Sequence, residues 1–115
     1  MDFQLTPEQE NLQRRCQELA ADFATRSAEH DRDASHPSEN YDILRQEGFC
    51  GLNIPKKWGG LGHGLLGHTL AFEALGQGCP STALSFNMHL SITGPLMTSD
   101  AVPDETKQKI ATLAV

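Results

Sequence analysis

The most regular alternation of apolar and polar residues lies near the start of the chain. Four apolar residues recur there at spacings of four, three and four, which places them on one helical face: Leu12, Cys16, Leu19 and Phe23. Thr6 and Gln9 form a capping-box sequence, and Pro7 suits the first helical position. The pattern predicts a first helix from residue 6 to about residue 30, followed by a polar loop from Glu29 to Asn40.

Four further segments show helical spacing and are bounded by residues that start or stop helices. They are predicted over residues 38–47, over residues 65–75, from residue 80 and from residue 103 to the end. Gly48 is placed to end the second helix in a left-handed turn, and Gly76 and Gly78 to close the third. Gly94-Pro95 is expected to break or kink the fourth. No segment alternates with period two, so we expect an all-α fold, a compact bundle of about five helices spanning 1–115.

Residues 49–64 combine apolar side chains with many glycines. Pro55 interrupts the apolar pattern, and Trp58, the only tryptophan, is followed by glycines. Because glycine permits backbone conformations and close approaches denied to other residues, we expect an ordered loop. Its anchor is predicted to be the buried indole of Trp58.

Charge and cysteine content narrow the class of protein. The 115 residues carry a net charge of −6, and the isoelectric point is near 5.2, which argues against a nucleic-acid partner. No apolar stretch is long enough to cross a membrane, and the chain starts without a secretory signal pattern. The three cysteines form no Cys-x-x-Cys motif. Together these features favour reduced thiols in a cytoplasmic protein.

Candidate sites for chemistry are weak when judged from the residues alone. Residues 62–67 match G-x-G-x-x-G, but that fingerprint needs a preceding strand and an acid about 20 residues later, where Asn87 stands. The acidic and histidine residues between Glu29 and His36 fit no standard metal spacing, so a solvated loop is favoured. The sequence therefore predicts no catalytic, cofactor-binding or metal-ligating residue.

The predicted fourth helix has a mixed face of small, flexible apolar and amide side chains. These residues are Ala83, Leu84, Asn87, Met88 and Ser91. Such a face is suited to line a slot for an extended apolar ligand. Ordinary helix packing explains it as well and is the simpler interpretation of the residues alone.

Four segments resemble the N-terminal helical domain of the acyl-CoA dehydrogenase family, in the same order and at similar separations. They are Phe3–Gln9, Gln46–Pro55 leading into Trp58–Gly62, Phe72–Gly76, and Cys79–Ala83. The resemblance covers nearly the whole chain. It implies a helical domain that forms one wall of an acyl-chain pocket, with Ala83, Leu84, Asn87 and Met88 on that wall.

The resemblance also implies components that this sequence does not contain. Complete family members hold FAD between a middle β-domain and a C-terminal helical domain, and a C-terminal glutamate removes the α-proton of an acyl-CoA in fatty acid metabolism. We expect the sequence to be a fragment, or its missing domains to lie on a partner chain. Alone it is expected to bind no FAD and to be inactive, and the complete enzyme to be a homo-oligomer.

Two other interpretations stay open. Related flavin-dependent monooxygenases share the same architecture, so the chain could be the corresponding domain of such an enzyme. A non-catalytic helical interaction module descended from the family is the other alternative.

Overall fold

Five α-helices make up the computed structural model, which describes all residues from Met1 to Val115. They are α1 (Pro7–Asp33), α2 (Ser38–Gln46), α3 (Leu65–Gly78), α4 (Pro80–Thr98) and α5 (Asp104–Ala114). Two short 3-10 turns, Phe49–Gly51 and Lys56–Trp58, lie in the connection between α2 and α3. There is no strand, so the predicted all-α fold is confirmed.

The N-terminus of α1 has the predicted capping box. Thr6 Oγ1 accepts from the Gln9 backbone N–H at 3.2 Å, and Gln9 Oε1 accepts from the Thr6 N–H at 2.9 Å. The helix ends at Ala34 in a left-handed conformation with φ of 49°. The prediction of a loop from Glu29 was wrong for residues 29–33, which continue the helix, because polar residues on a solvated face do not oppose helix formation.

The core lies where α1 packs on α3 and α3 packs on α4. Its largest buried side chains are Leu12, Phe23, Leu44, Phe49, Leu52, Leu75, Phe86 and Leu90. Gly78 brings α1 and α3 close together, since a Cβ added there would lie 2.0 Å from the backbone oxygen of Ala20. The absence of a side chain at Gly78 is therefore a packing requirement.

Two predicted helix ends differ from the structure. The third helix extends beyond the predicted residue 75 and ends at Gly78, one of the two glycines expected to close it. The fourth helix is not broken at Gly94-Pro95 and continues to Thr98. Pro95 lacks a backbone N–H, so one helical hydrogen bond is lost. Its carbonyl still accepts from the Ser99 N–H at 3.0 Å, so the helical hydrogen bonds resume beyond it.

The loop at residues 49–64 is ordered by its own backbone hydrogen bonds. The Leu61 N–H donates to Gly51 O and the Gly62 N–H to Ile54 O, each at 2.9 Å. A Cβ added at Gly60 would lie 2.1 Å from Ile54 O, so this crossing of two chain segments requires glycine. The expectation of an ordered, glycine-dependent loop agrees with this geometry.

Trp58 is only partly buried, which corrects the prediction of a buried indole anchor. It packs against a small second cluster formed by Ile54, Met97 and Ala111. The Lys57 ammonium lies 4.4 Å from the indole centroid, over the ring. The side chain that fixes this loop is instead Ile54, which is 0% exposed.

Candidate functional site

A groove runs between α3 and α4 on the surface of the bundle. It consists of two cavities of about 260 and 440 Å³ that share Leu65 and His68. The larger cavity is lined by Leu65, His68, Thr69, Phe72, Leu84, Asn87 and Ser91. The smaller one extends toward the loop and is lined by Asn53, His63, Gly64, Gly94, Pro95 and Thr98 in addition to the two shared residues. Neither lining contains Lys, Arg, Asp or Glu.

The groove is mainly apolar, and further apolar side chains are exposed around it. Relative exposures reach 80% for Leu65, 68% for Leu84 and 61% for Met88. Leu66 and Ile92 are exposed on the same two helices. Exposed apolar side chains beside a groove are typical of a binding surface for a ligand or another protein segment.

A hydrogen-bonded pair joins the two helices inside the groove. His68 Nε2 and Asn87 Oδ1 are 2.9 Å apart, and Ser91 Oγ donates to the same oxygen at 3.3 Å. Because a carbonyl oxygen can only accept, the Nε2 atom of His68 carries the hydrogen. The His68 ring also lies against Phe72, with ring centroids 4.8 Å apart.

The four residues expected on the pocket wall occupy different environments. Leu84 and Asn87 line the groove, and Met88 is exposed on α4 beside them. Ala83 is 6% exposed and belongs to the core. A Cβ added at Gly76 would lie 3.9 Å from the Ala83 Cβ, an ordinary contact distance, so α3 and α4 pack closely behind the groove.

The contribution of α3 to the groove was missed by the sequence reasoning. Leu65, His68, Thr69 and Phe72 have the spacing of one helical face, and that spacing was the available signal. The same helix has another apolar stripe in the core, which includes Leu70, Ala71 and Ala74. Periodicity alone could not assign the first set to a groove shared with α4.

Comparison with known proteins identifies the family. Residues 6–113 match the family described as "Acyl-CoA dehydrogenase, N-terminal domain". The chain belongs to the acyl-CoA dehydrogenase family. It is 30% identical over 115 residues to the short-chain-specific acyl-CoA dehydrogenase of Clostridium acetobutylicum, covering 99% of this chain and 30% of that protein.

Two further proteins show similar identities to this chain. The acryloyl-CoA reductase (NADH) of Anaerotignum propionicum is 35% identical over 91 residues, which are 78% of this chain and 23% of the reductase. The 3-sulfinopropanoyl-CoA desulfinase of Variovorax paradoxus is 36% identical over 78 residues, 67% of this chain and 20% of the desulfinase. The chain thus spans between a fifth and a third of the length of these relatives. No solved structure gave a significant match.

The glycine-rich segment of this acyl-CoA dehydrogenase domain does not form a dinucleotide site. Residues 62–67 follow a 3-10 turn and a loop, not a strand, and lead into α3. A Cβ added at Gly67 would lie 2.7 Å from the His63 Cβ, so Gly67 serves a local packing contact. These residues therefore lack the strand-turn-helix arrangement on which the G-x-G-x-x-G fingerprint depends.

No group of three or more metal-binding side chains converges anywhere in the domain. His30, from the polar segment considered above, has both ring nitrogens engaged: Nδ1 with Ser35 Oγ at 2.7 Å and Nε2 with Glu39 Oε1 at 3.0 Å. No helix has the length and apolar character needed to span a bilayer.

The cysteines differ in a way that the sequence did not reveal. Burial raises the pKa of the Cys16 thiol to about 12. Burial also acts to raise the pKa of Cys79, but hydrogen bonds from Ser81 and Thr82 outweigh it and lower the pKa to about 7. Cys79 is the residue that precedes α4, where the amide dipoles of a helix favour negative charge.

Proposed function

We propose that residues 1–115 form one wall of the acyl-chain pocket in an FAD-dependent oxidoreductase that acts on acyl-CoA thioesters. The observation that supports this most strongly is the apolar groove between α3 and α4, where Leu84 and Asn87 lie opposite Leu65 and Phe72. Burial of a hydrocarbon chain against such side chains is favourable by about 0.8 kcal/mol per methylene.

The cofactor and the catalytic base are assigned to other domains. FAD accepts a hydride in such oxidoreductases, and the family resemblance implies that it lies between a β-domain and a C-terminal domain. Glu73 is the only acid on α3 and α4, and it does not line the groove. This domain therefore contributes binding and orientation of the acyl chain, in a homo-oligomeric, cytoplasmic enzyme.

The groove supports an uncharged acyl group better than an anionic one. The Variovorax relative is named for an acyl group that carries a sulfino substituent, and a sulfino group is an anion at neutral pH. Lys and Arg are absent from both parts of the groove. A buried anion needs a paired cation, so this domain offers no partner for such a group.

A helical interaction module is a second candidate, because Leu84, Met88 and Ile92 are more than half exposed on α4.

The flavin-dependent monooxygenase alternative uses the same groove with a different reaction at the flavin. Oxygen consumption coupled to substrate hydroxylation would distinguish that enzyme from a dehydrogenase.

Chain-length preference tests the pocket wall. In the enzyme assembled with the flavin-bearing domains, Leu84→Trp fills the groove, so kcat/KM should fall more for long than for short straight-chain acyl-CoA substrates. The matched control is Leu113→Trp on α5, where the side chain is 89% exposed and outside the groove. If kcat/KM depends on acyl-chain length in the same way in the two variants, Leu84 does not line the pocket.

The inactivity of the isolated chain has its own test. Purified residues 1–115 should show no flavin absorbance after incubation with FAD and gel filtration. They should also show no turnover of an acyl-CoA with an artificial electron acceptor. Stoichiometric flavin, or turnover above the buffer blank, would refute this part of the proposal.

A further inference from the structure

One hydrogen-bond donor in the groove has no partner within the chain. The amide oxygen of Asn87 accepts from His68 and Ser91, but its Nδ2 atom forms no hydrogen bond. That nitrogen is accessible to solvent, and Asn87 lines the groove. The two bonds to the oxygen fix the amide plane and thereby the direction of the free N–H groups.

The position of this donor matters because the pair stands where the two cavities meet. His68 lines both of them, and Asn87 lines the larger one beside it. An extended ligand that occupies the whole groove must pass the pair. A plain hydrocarbon would strip water from Asn87 Nδ2 and offer no acceptor in return, which is unfavourable.

We infer that the groove selects acyl groups that carry a neutral oxygen acceptor, a hydroxyl or an oxo group, to which Asn87 Nδ2 donates. This inference rests on the proposed function and adds a substrate class to it. An anionic substituent is disfavoured, because the groove contains no Lys or Arg to pair with it. In this account Asn87 determines specificity, and His68 and Ser91 position its amide.

Binding of matched thioesters to the ¹⁵N-labelled chain, assembled with its flavin-bearing domains, tests the inference. The probes are butanoyl-CoA, 3-hydroxybutanoyl-CoA and succinyl-CoA, with free CoA as the baseline, and the readout is the shift of groove resonances on titration. We expect 3-hydroxybutanoyl-CoA to bind at least about fivefold more tightly than butanoyl-CoA, the effect of one net hydrogen bond. The side-chain amide signals of Asn87 should shift with the hydroxy ester alone.

Two variants separate recognition from helix packing. Asn87→Leu should abolish the preference for the hydroxy ester while the butanoyl ester still binds. Gln77→Leu is the control: it replaces an exposed amide on α3 that lies outside the groove, in a cavity shared with α1. It should leave the preference unchanged. If Asn87→Leu does not fold, the affinity ratio and amide shift of the unaltered chain decide the question.

The possible failures are distinguishable. Equal affinities for the butanoyl and hydroxy esters, with both perturbing the groove, would overturn the inference and leave the proposed function standing. Tighter binding of succinyl-CoA would overturn the preference for a neutral group. If no ester perturbs the groove beyond free CoA, both the inference and the proposed pocket wall fail.

Discussion

Asn40 and Thr82 are 42 residues apart in the sequence, and the side-chain amide of Asn40 donates a 3.0 Å hydrogen bond to the Thr82 hydroxyl. Both residues are 0% exposed. Arg26 Nη2 donates to Asn40 Oδ1 at 2.7 Å, and the Thr82 hydroxyl donates to Cys79 Sγ at 3.1 Å. The contact thus belongs to a polar network that joins α1, α2 and the start of α4 across the core.

Truncation of Asn40 should destabilise the bundle strongly. Asn40→Ala leaves Arg26 and Thr82 without their shared partner, and an unsatisfied buried polar group costs about 1–3 kcal/mol. Urea unfolding followed by circular dichroism measures the loss. Asn11→Ala, at an exposed asparagine on α1, is the control and should change the free energy of unfolding by less than about 0.5 kcal/mol. Equal changes in the free energy of unfolding for the two variants would show that the polar network does not stabilise the fold.

Cys79 should make stability depend on pH in a mildly alkaline window. Its folded pKa of about 7 lies below the ordinary value of 9.0, so the folded state binds fewer protons than the unfolded state between these values. Stability should therefore rise as pH increases from about 7 to about 9 and be lost as pH falls through 7. Urea unfolding under reducing conditions at several pH values measures the slope.

Substitution of single cysteines shows which thiol causes the change of stability with pH. Cys79→Ala should abolish the rise. Cys50→Ala should keep it, because burial raises the pKa of Cys50 and moves its titration to higher pH. The thiol of Cys16, whose pKa is about 12, has the opposite effect: it lowers the stability as pH rises, and only above about pH 9. A slope that persists in Cys79→Ala would contradict the assignment.

The contact between α1 and α3 should not tolerate even one methyl group at Gly78. The added Cβ would lie 2.0 Å from Ala20 O, so Gly78→Ala must push the helices apart, at a cost of about 1–3 kcal/mol or more. Gly64→Ala is the matched control, because no atom lies within 4 Å of its added Cβ and its φ of −85° suits any residue. Thermal unfolding should show a lower Tm for Gly78→Ala and little change for Gly64→Ala.

The local signals in the sequence predicted the helices well, for identifiable reasons. The capping box at Thr6 and the left-handed turn at Gly48, with φ of 79°, depend on neighbouring residues only. Of the two outcomes expected at Gly94-Pro95, a break does not occur, because the packing of α4 against the rest of the bundle outweighs one lost hydrogen bond. Trp58 misled the prediction because a large aromatic ring packs usefully at the surface as well as in the core.

The orientation of α4 could not be derived from its own residues. Apolar side chains occur all around this helix, and the neighbours Ala83 and Leu84 illustrate the result: one is 6% exposed and the other 68%. Which of them faces the core is decided by how α4 packs against the other helices, where Ala83 belongs to the core cluster. The groove was therefore partly predictable from α4, whereas its opposite side on α3 required the structure.

Photolabelling tests the central claim, that the groove between α3 and α4 holds an acyl chain, most directly. A diazirine at the end of the acyl chain of an acyl-CoA inserts on illumination into the side chains beside it, and mass spectrometry locates the adducts. In the protein assembled with its flavin-bearing domains, adducts are expected at Leu65, Phe72 and Leu84, and unlabelled butanoyl-CoA should suppress them. Adducts confined to other surfaces, or adducts at these residues that the competitor does not reduce, would contradict the assignment of the groove as the acyl wall.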